Sequence, residues 1–339
     1  MYYFQTAIKD STLYKGQREQ NTGLDEILEI SKTYYGDSLE ISRPLIKFDI
    51  EKTKSFLDSL SLTINSAFLV LKEAESSEIP SEYTITANPV NGSWDMGIGT
   101  KFDDISTDGV TWRQRKNGEY WASSGGDIHT GDETSHILQY LGSDLEMDVK
   151  PIVDGWIANR YNNEGFLLSF TSSMEDDSNE YGVLQYFSKE TNTIYQPKLR
   201  ISVDDSEFNT GDLTELVSDD IQIKFKNLKS TYKVDTTVNI KIVGREKYPM
   251  KTYTKQYGYT DIQFLPKTTY YQIKDSITHE IVAPYGAGST VSCNSVGNYF
   301  KLNLHNWEIG RDYYIEIKTT IGGSEMIISD PSITFTVEK

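Results

Sequence analysis

The 339-residue sequence contains a single cysteine, Cys293, which excludes a disulfide within the chain and a zinc site built from several cysteines. It has only 9 prolines and no low-complexity tract, which argues against a disordered protein. No apolar run approaches the roughly 18 residues of a membrane helix, so we expect no membrane partner. The first residues lack a basic region followed by an apolar one, which predicts that there is no signal peptide.

Positive charge is also scarce, with 33 Lys and Arg against 50 Asp and Glu and a formal net charge of -17. Because nonspecific binding to nucleic acid needs a cationic surface, we expect no nucleic-acid partner. The negative charge is compatible with cation binding, with docking onto a basic partner, or simply with a well-solvated surface.

Strand-forming residues are abundant, including 23 Tyr and 13 Phe. In residues 43–50 the apolar side chains Ile46, Phe48 and Ile50 alternate with polar ones, as in a half-buried strand. After residue 216, short strand patterns recur between turns spaced near ten residues apart, which is typical of a sandwich or barrel. We therefore predict an all-β protein with two β-sandwich domains, residues 1–205 and 216–339, joined by a short linker at 206–215; about 120 residues suits an Ig-like second domain.

Residues 147–203 are predicted to be the stretch around which the chain is organised, as the closing half of a β-sandwich. Val149, Ile152, Val153, Trp156 and Ile157 follow the spacing of an apolar helix stripe, which predicts one short helix facing the core. The next apolar run, residues 166–170, is predicted to be a buried strand.

Three tryptophans, Trp94, Trp112 and Trp121, fall in a long region rich in glycine and aspartate. Each ring carries a large apolar area and an N–H group that needs a partner. The rings could therefore form a platform that stacks on a glycan, or they could pin long loops onto the sandwich.

The same region contains four aspartates that are candidates for a structural calcium site, Asp103, Asp104, Asp108 and Asp127. Calcium prefers several oxygen ligands, but the spacing is not that of an EF-hand. The alternative is a solvated acidic loop, and we expect no other cofactor.

The four histidines, His129, His136, His279 and His305, lie in no catalytic motif, and no pair of carboxylates is fixed at a catalytic distance. We therefore expect that the protein is not an enzyme.

One segment, residues 245–253, combines basic and aromatic side chains in this acidic chain. Arg245, Lys247, Tyr248 and Tyr253 are candidate interface anchors, since Arg and Tyr are common in interface hot spots. The alternative is an ordinary edge loop in which lysines guard a strand.

Several segments carry a resemblance to a known module. Residues 21–30, 43–50, 67–71, 147–156 and 162–168 resemble, in this order, the DNRLRE-type (disaggregatase-related) β-sandwich, a jelly-roll relative of carbohydrate-binding modules. The resemblance covers residues 1 to about 205. It implies a jelly-roll-like N-terminal domain.

A narrower resemblance is to virion structural proteins of tailed bacteriophages. It is carried by residues 108–112, 121–127, 186–197, 243–249 and 251–253. It implies a component of a phage particle without catalysis, and a ring or collar at the neck or tail is the position that we favour.

Together these observations lead to one hypothesis and one alternative. We expect a virion protein that contacts other virion proteins and copies of itself through protein surfaces. The alternative is a carbohydrate-binding module in a receptor-binding or fibre apparatus, which would use the three tryptophans.

Overall fold

The computed structural model of the protein describes residues 1–78, 82–140, 142–218, 220–249 and 262–339. It confirms the predicted fold class, because 47% of the chain is strand and only 8% is helix. In the part of the chain that the structure describes, no helix is both long and apolar enough to cross a membrane.

The chain forms two compact units. The N-terminal unit consists of Gln5–Ser61 and Ala67–Arg200, and the C-terminal unit of Ile201–Lys339 with the two short segments Met1–Phe4 and Leu62–Ser66. The predicted boundaries, with domains at residues 1–205 and 216–339 and a linker at 206–215, stay a prediction.

The elements up to residue 203 are thirteen strands and three helices among the described residues. They are β1 (Tyr2–Tyr14), β2 (Ile27–Tyr35), β3 (Ser38–Phe48), α1 (Ile50–Leu60), β4 (Ile64–Leu71), β5 (Ser77–Glu78), β6 (Tyr83–Pro89), β7 (Gln114–Lys116), β8 (Glu119–Tyr120), β9 (Thr134–Leu138), β10 (Leu145–Asp148), α2 (Lys150–Ile157), β11 (Phe166–Phe170), α3 (Ser172–Asp176), β12 (Gly182–Phe187) and β13 (Lys198–Val203). The strands join in the order β10-β4-β13-β1-β3-β11-β6-β9, while β2 lies between β3 and β12, β5 pairs with β12, and β7 and β8 form a separate hairpin.

Strand β11 is buried on both of its faces, as the sequence predicted for residues 166–170. Phe166 points to one side, where its ring meets the edges of Phe48 and of Trp156 from α2. Leu167 points to the opposite side and joins a small separate core with Leu45 of β3. This second core holds a long loop region against the sheet.

Helix α2 confirms the predicted amphipathic segment. Its buried residues include Ile152, Val153 and Trp156, which are the predicted core-facing positions, and Pro151 occupies the first turn, where a missing N–H costs nothing. Helix α1 replaces the end of the strand pattern that the sequence predicts for residues 43–50. It begins at Ile50, because the side chain of Asp49 caps it by accepting from the Lys52 N–H (3.4 Å).

The remaining elements are eleven strands and one 3-10 turn among the described residues. They are β14 (Thr214–Glu215), β15 (Ile221–Phe225), β16 (Thr231–Lys233), β17 (Thr237–Glu246), β18 (Gln263–Phe264), β19 (Tyr270–Asp275), β20 (Ile281–Ala283), the turn Ala287–Ser289, β21 (Ser292–Asn294), β22 (Gly297–Asn303), β23 (Asp312–Ile321) and β24 (Ser324–Glu338).

These strands form the predicted Ig-like sandwich. One sheet has the order β14-β18-β17-β22-β21 with β15 beside β17, and the other has the order β16-β24-β23-β19-β20. With β15, β17, β19, β20, β21, β22, β23 and β24 taken as A, B, C, C′, D, E, F and G, the sheets are A-B-E-D and G-F-C-C′, as in Ig-like folds. Ile242 from the first sheet and Ile315 and Phe335 from the second lie in one core.

The first residues of the chain complete this C-terminal core. Tyr2 and Phe4 belong to it, and the ring of Phe4 meets Trp307 edge-on with centroids 6.0 Å apart. The Asn306 side chain also donates to the Phe4 carbonyl (3.1 Å). Residues 1–4 therefore contribute to the stability of the C-terminal unit.

Candidate interaction surface

The three tryptophans do not form a platform in this structure. Trp94, Trp112 and Trp121 are 0%, 6% and 5% exposed and lie in the small core beside Leu167. The Trp94 indole N–H donates to the Glu164 carbonyl (2.7 Å), so it is satisfied inside the protein. Because a stacking platform needs an exposed ring face, the glycan expectation for these rings is corrected, and they pin the loop region to the sheet.

The four aspartates do not come together as a calcium site. In residues 1–78, 82–140, 142–218, 220–249 and 262–339, no three His, Cys, Asp or Glu side chains are grouped for a metal ion. Asp127 instead accepts from the Ala122 and Ser123 N–H groups, both at 2.7 Å, and so stabilises a turn. The other three candidates, Asp103, Asp104 and Asp108, are exposed.

The predicted basic segment lies at the end of β17 and beyond it. Tyr248 is 77% exposed, and Lys247 lies 3.8 Å from the Asp220 carboxylate. Arg245 donates to the Gln222 side chain (3.0 Å). Tyr253 lies outside the described residues. Whether this segment is an interface stays a prediction.

Sequence reasoning missed the most exposed apolar feature of the N-terminal unit, a loop formed by residues 97–109, which we call the apolar loop. Phe102, Ile105 and Ile98 are 89%, 77% and 68% exposed. Leu24, which is 42% exposed, adjoins them, since its N–H donates to the Gly99 carbonyl (3.0 Å). Neighbouring large apolar side chains on a surface are typical of a binding site.

The base of the apolar loop is held by the buried side chain of Asn21. Its amide N–H groups donate to the Met96 and Val110 carbonyls, both at 2.7 Å, on either side of the loop. Its carbonyl oxygen accepts from the Gly99 N–H (2.8 Å). The same oxygen accepts from the Gly23 N–H (3.1 Å), so one buried side chain satisfies four backbone groups and gives the loop a defined conformation.

Glycines permit this close approach. Gly97 has φ +79°, which favours glycine, and an added Cβ would lie 2.4 Å from the Asn21 side-chain oxygen and 2.0 Å from the Asp108 carbonyl. A side chain at this position would push the loop away from its anchor. The sequence signal for the anchor is the Asn21-Thr22-Gly23 turn and the glycines in the loop, but these residues lie more than 70 positions apart.

A lysine fixes the middle of the apolar loop. The Lys101 ammonium donates to Glu29 (2.7 Å) and lies 4.4 Å from the centroid of the Tyr14 ring. The Lys101 N–H donates to the Asp25 carboxylate (3.0 Å). Burial nevertheless raises the pKa of the Asp25 carboxyl above its usual range.

The fully exposed charged residues within the apolar loop are all acidic. Asp103, Asp104 and Asp108 are exposed, and the carboxylate of Asp103 accepts only from the Thr100 hydroxyl (2.6 Å) among the hydrogen bonds of the described residues. The exposed large side chains of the loop are thus apolar or acidic, while the half-buried Lys101 places its ammonium 5.5 Å from the centroid of the Phe102 ring. Such a surface fits a partner that combines apolar and basic side chains.

Comparison with known proteins adds little. No protein-family model matches the chain, and no curated protein matches it. Among solved structures, it is similar to a DUF4785 family protein from Legionella pneumophila subsp. pneumophila str. Philadelphia 1, with 9% identity over 98% of this chain and 66% of that chain, at a TM-score of 0.22. It is also similar to apo β-glucuronidase 3 from Bacteroides uniformis, with 7% identity over 80% of this chain and 27% of that chain, at a TM-score of 0.20. The chain spans less than two thirds of either protein, and likeness at these TM-scores carries no argument.

Proposed function

We propose that the protein is a non-enzymatic structural component of a tailed-phage virion that forms an oligomeric ring or collar at the neck or tail. The observation that carries the proposal is the apolar loop, in which Ile98, Phe102 and Ile105 are exposed although the loop base is fixed by Asn21. A protein whose work is assembly needs surfaces of this kind.

The conformation of the loop favours binding. Burying a large apolar side chain contributes roughly 1.5–3 kcal/mol, so three such side chains give a useful hot spot. Because the loop is already ordered by Asn21 and Lys101, its association does not have to offset the entropy of ordering a flexible segment.

The phage setting is supported by the sequence resemblance. One of the segments that resemble virion proteins, residues 108–112, overlaps the C-terminal end of the apolar loop and continues to Trp112, which lies in the small core. The carbohydrate-binding alternative depended on exposed tryptophan rings. Because these rings are buried, we propose only the structural function.

The proposal is tested by sedimentation velocity over a range of protein concentrations, with Phe102→Ser as the variant. The wild-type chain is expected to form a discrete oligomer, and the variant is expected to dissociate at concentrations at which the wild type stays assembled. Tyr35→Ser is the matched control, because Tyr35 is 85% exposed but lies in a hairpin outside the apolar loop.

Mass spectrometry of purified phage particles tests the setting. The chain is expected in several copies per particle. A wild-type chain that stays monomeric at high concentration and is absent from particles overturns the proposed function.

A further inference from the structure

We infer that the apolar loop of one copy binds a basic face on the C-terminal unit of the next copy, in a head-to-tail contact. The basic face consists of Lys224, Lys226, Lys241 and Arg245. This inference rests on the proposed function and identifies the two different surfaces that would build the oligomer.

Strand register puts these cations on one side of a sheet. In the pairing of β15 with β17, Lys224 is opposite Val243, so Lys241 and Arg245 are its diagonal neighbours. The Lys226 N–H donates to the Lys241 carbonyl (2.9 Å), which places these two lysines side by side. The intervening residues of both strands, such as Ile223 and Ile242, pack in the core, so the basic residues lie on the outer side.

The cations of the basic face lack ion-pair partners among the residues that the structure describes, although Glu207 accepts from the hydroxyl of Tyr299 (2.9 Å), which is opposite Lys241. None of its four cations forms an ion pair within the described ranges, and Arg245 donates instead to the neutral Gln222 side chain. Like charges on directly opposite strand positions, such as Lys226 and Lys241, are destabilising. Residues 221–247 nevertheless contain seven Lys or Arg and only two acidic residues, in a chain of net charge -17. An acidic partner would relieve this repulsion.

The arrangement of charged and apolar side chains on the basic face is complementary to that on the apolar loop. Val243 lies at the centre of the basic face, half-buried, between Lys224 on one strand and Lys241 and Arg245 on its own strand. The lysine stems add apolar surface around it. The apolar loop offers the complement, because its exposed Phe102 is followed in sequence by the exposed carboxylates of Asp103 and Asp104. Apolar surface would therefore meet apolar surface, and the carboxylates would face the cations.

The distribution of charge along the chain favours a second copy as the partner. Residues 1–205 contain 18 Lys and Arg but 34 Asp and Glu, whereas residues 206–339 contain 15 and 16. Each copy thus carries the apolar loop in its strongly acidic part and the basic face in its nearly neutral part. Contacts between two different surfaces of identical subunits generate rings when the rotation closes. Nucleic acid is the other class of molecule that could occupy a basic face, and it is disfavoured by the net charge.

Charge reversal tests the contact. The first variant is Asp103→Lys with Asp104→Lys, and the second is Lys224→Glu with Lys241→Glu. Each alone is expected to weaken self-association more than tenfold in sedimentation equilibrium, because like charges would meet across the contact. The control for the second variant is Lys52→Glu with Lys267→Glu, which replaces two lysines by glutamate at exposed sites outside both surfaces. This control is expected to leave association unchanged.

An equimolar mixture of the two variants is the decisive measurement. In the mixture, each reversed loop can meet a reversed face and each native loop a native face, so assembly is expected to return. Recovery also shows that both variants are folded.

The contrary outcomes are distinct. If the wild type assembles and neither reversal weakens it, or if mixing restores nothing although circular dichroism shows both variants folded, the inferred contact is wrong while the proposed function stands. If Lys224→Glu with Lys241→Glu abolishes binding of a labelled DNA duplex but leaves assembly intact, the face binds nucleic acid and the inference is overturned. If the wild type stays monomeric at high concentration, the inferred contact is wrong, and if it is also absent from particles, the proposed function itself fails.

Discussion

The stability of the N-terminal unit should fall as pH rises, because of one buried carboxyl group. Asp10 of β1 is 1% exposed, and its carboxylate accepts the Lys189 N–H (2.6 Å). Burial raises the pKa of Asp10 from 3.8 to about 7, in spite of that hydrogen bond. The folded state therefore keeps the proton up to a pH near 7, whereas the unfolded chain releases it near 3.8.

The sign and size of the effect follow from this pKa difference. Below pH 3.8 both the folded and the unfolded state hold the proton, so the ionisation of Asp10 does not lower the free energy of unfolding. Between 3.8 and 7 the unfolded state alone ionises, so the free energy of unfolding falls, and above 7 the loss is constant. A difference of about 3 pKa units corresponds to about 4 kcal/mol, since one unit is about 1.4 kcal/mol.

Asp10→Asn removes the ionisation but keeps an oxygen that accepts the Lys189 N–H. At pH 8 the variant is expected to be more stable than the wild type by about 4 kcal/mol, and near pH 4 the two should be almost equal. Urea unfolding followed by tryptophan fluorescence at several pH values measures this, because four of the five tryptophans lie in the N-terminal unit. Asp104→Asn, at an exposed site, is the control. A stability difference that does not change with pH, or that favours the wild type at pH 8, refutes the reasoning.

Three further predictions concern other parts of the chain. Asn21→Ala should cost about 3 kcal/mol, because buried backbone groups lose their partners, and should speed hydrogen exchange in the apolar loop; unchanged exchange would contradict the anchor. Phe4→Ala should destabilise the C-terminal unit by about 3–5 kcal/mol, seen in the fluorescence of Trp307, whereas an unshifted transition would mean that residues 1–4 do not stabilise it. Cys293, which is fully buried with a raised thiol pKa, should react with Ellman's reagent only after unfolding; rapid native reaction would show that it is accessible.

Local patterns predicted much of the fold. The helix at Lys150–Ile157 and the buried strand at Phe166–Phe170 lie where the apolar patterns predict them, because such segments bury apolar side chains in a core. Ile50 shows where prediction from local apolar patterns fails. Its spacing continues the alternation of Ile46 and Phe48, yet it begins helix α1, because the Asp49 cap ends the strand.

The tryptophans show why a candidate site was harder to predict. A tryptophan that stacks on a ligand and a tryptophan that pins a loop have similar neighbours in the sequence, so the sequence does not distinguish the two roles. The second face of β11, formed by Leu167, decides between them by giving the rings a core to enter. No pattern near Trp94 reveals that this face is available, since β11 lies about 70 residues further along the chain.

The sequence by itself therefore determined the all-β class, the short helix α2, the Ig-like strand spacing and the excess of negative charge, because these depend on composition and on neighbours within a few residues. Tertiary structure alone decided that Phe102 is exposed on a loop anchored by Asn21, and that Lys224 and Lys241 share one side of a sheet. It also decided that residues 1–4 complete the core of the C-terminal unit. These features arise from contacts between distant parts of the chain, where the pairing of strands and the burial of a polar side chain are set by the whole fold.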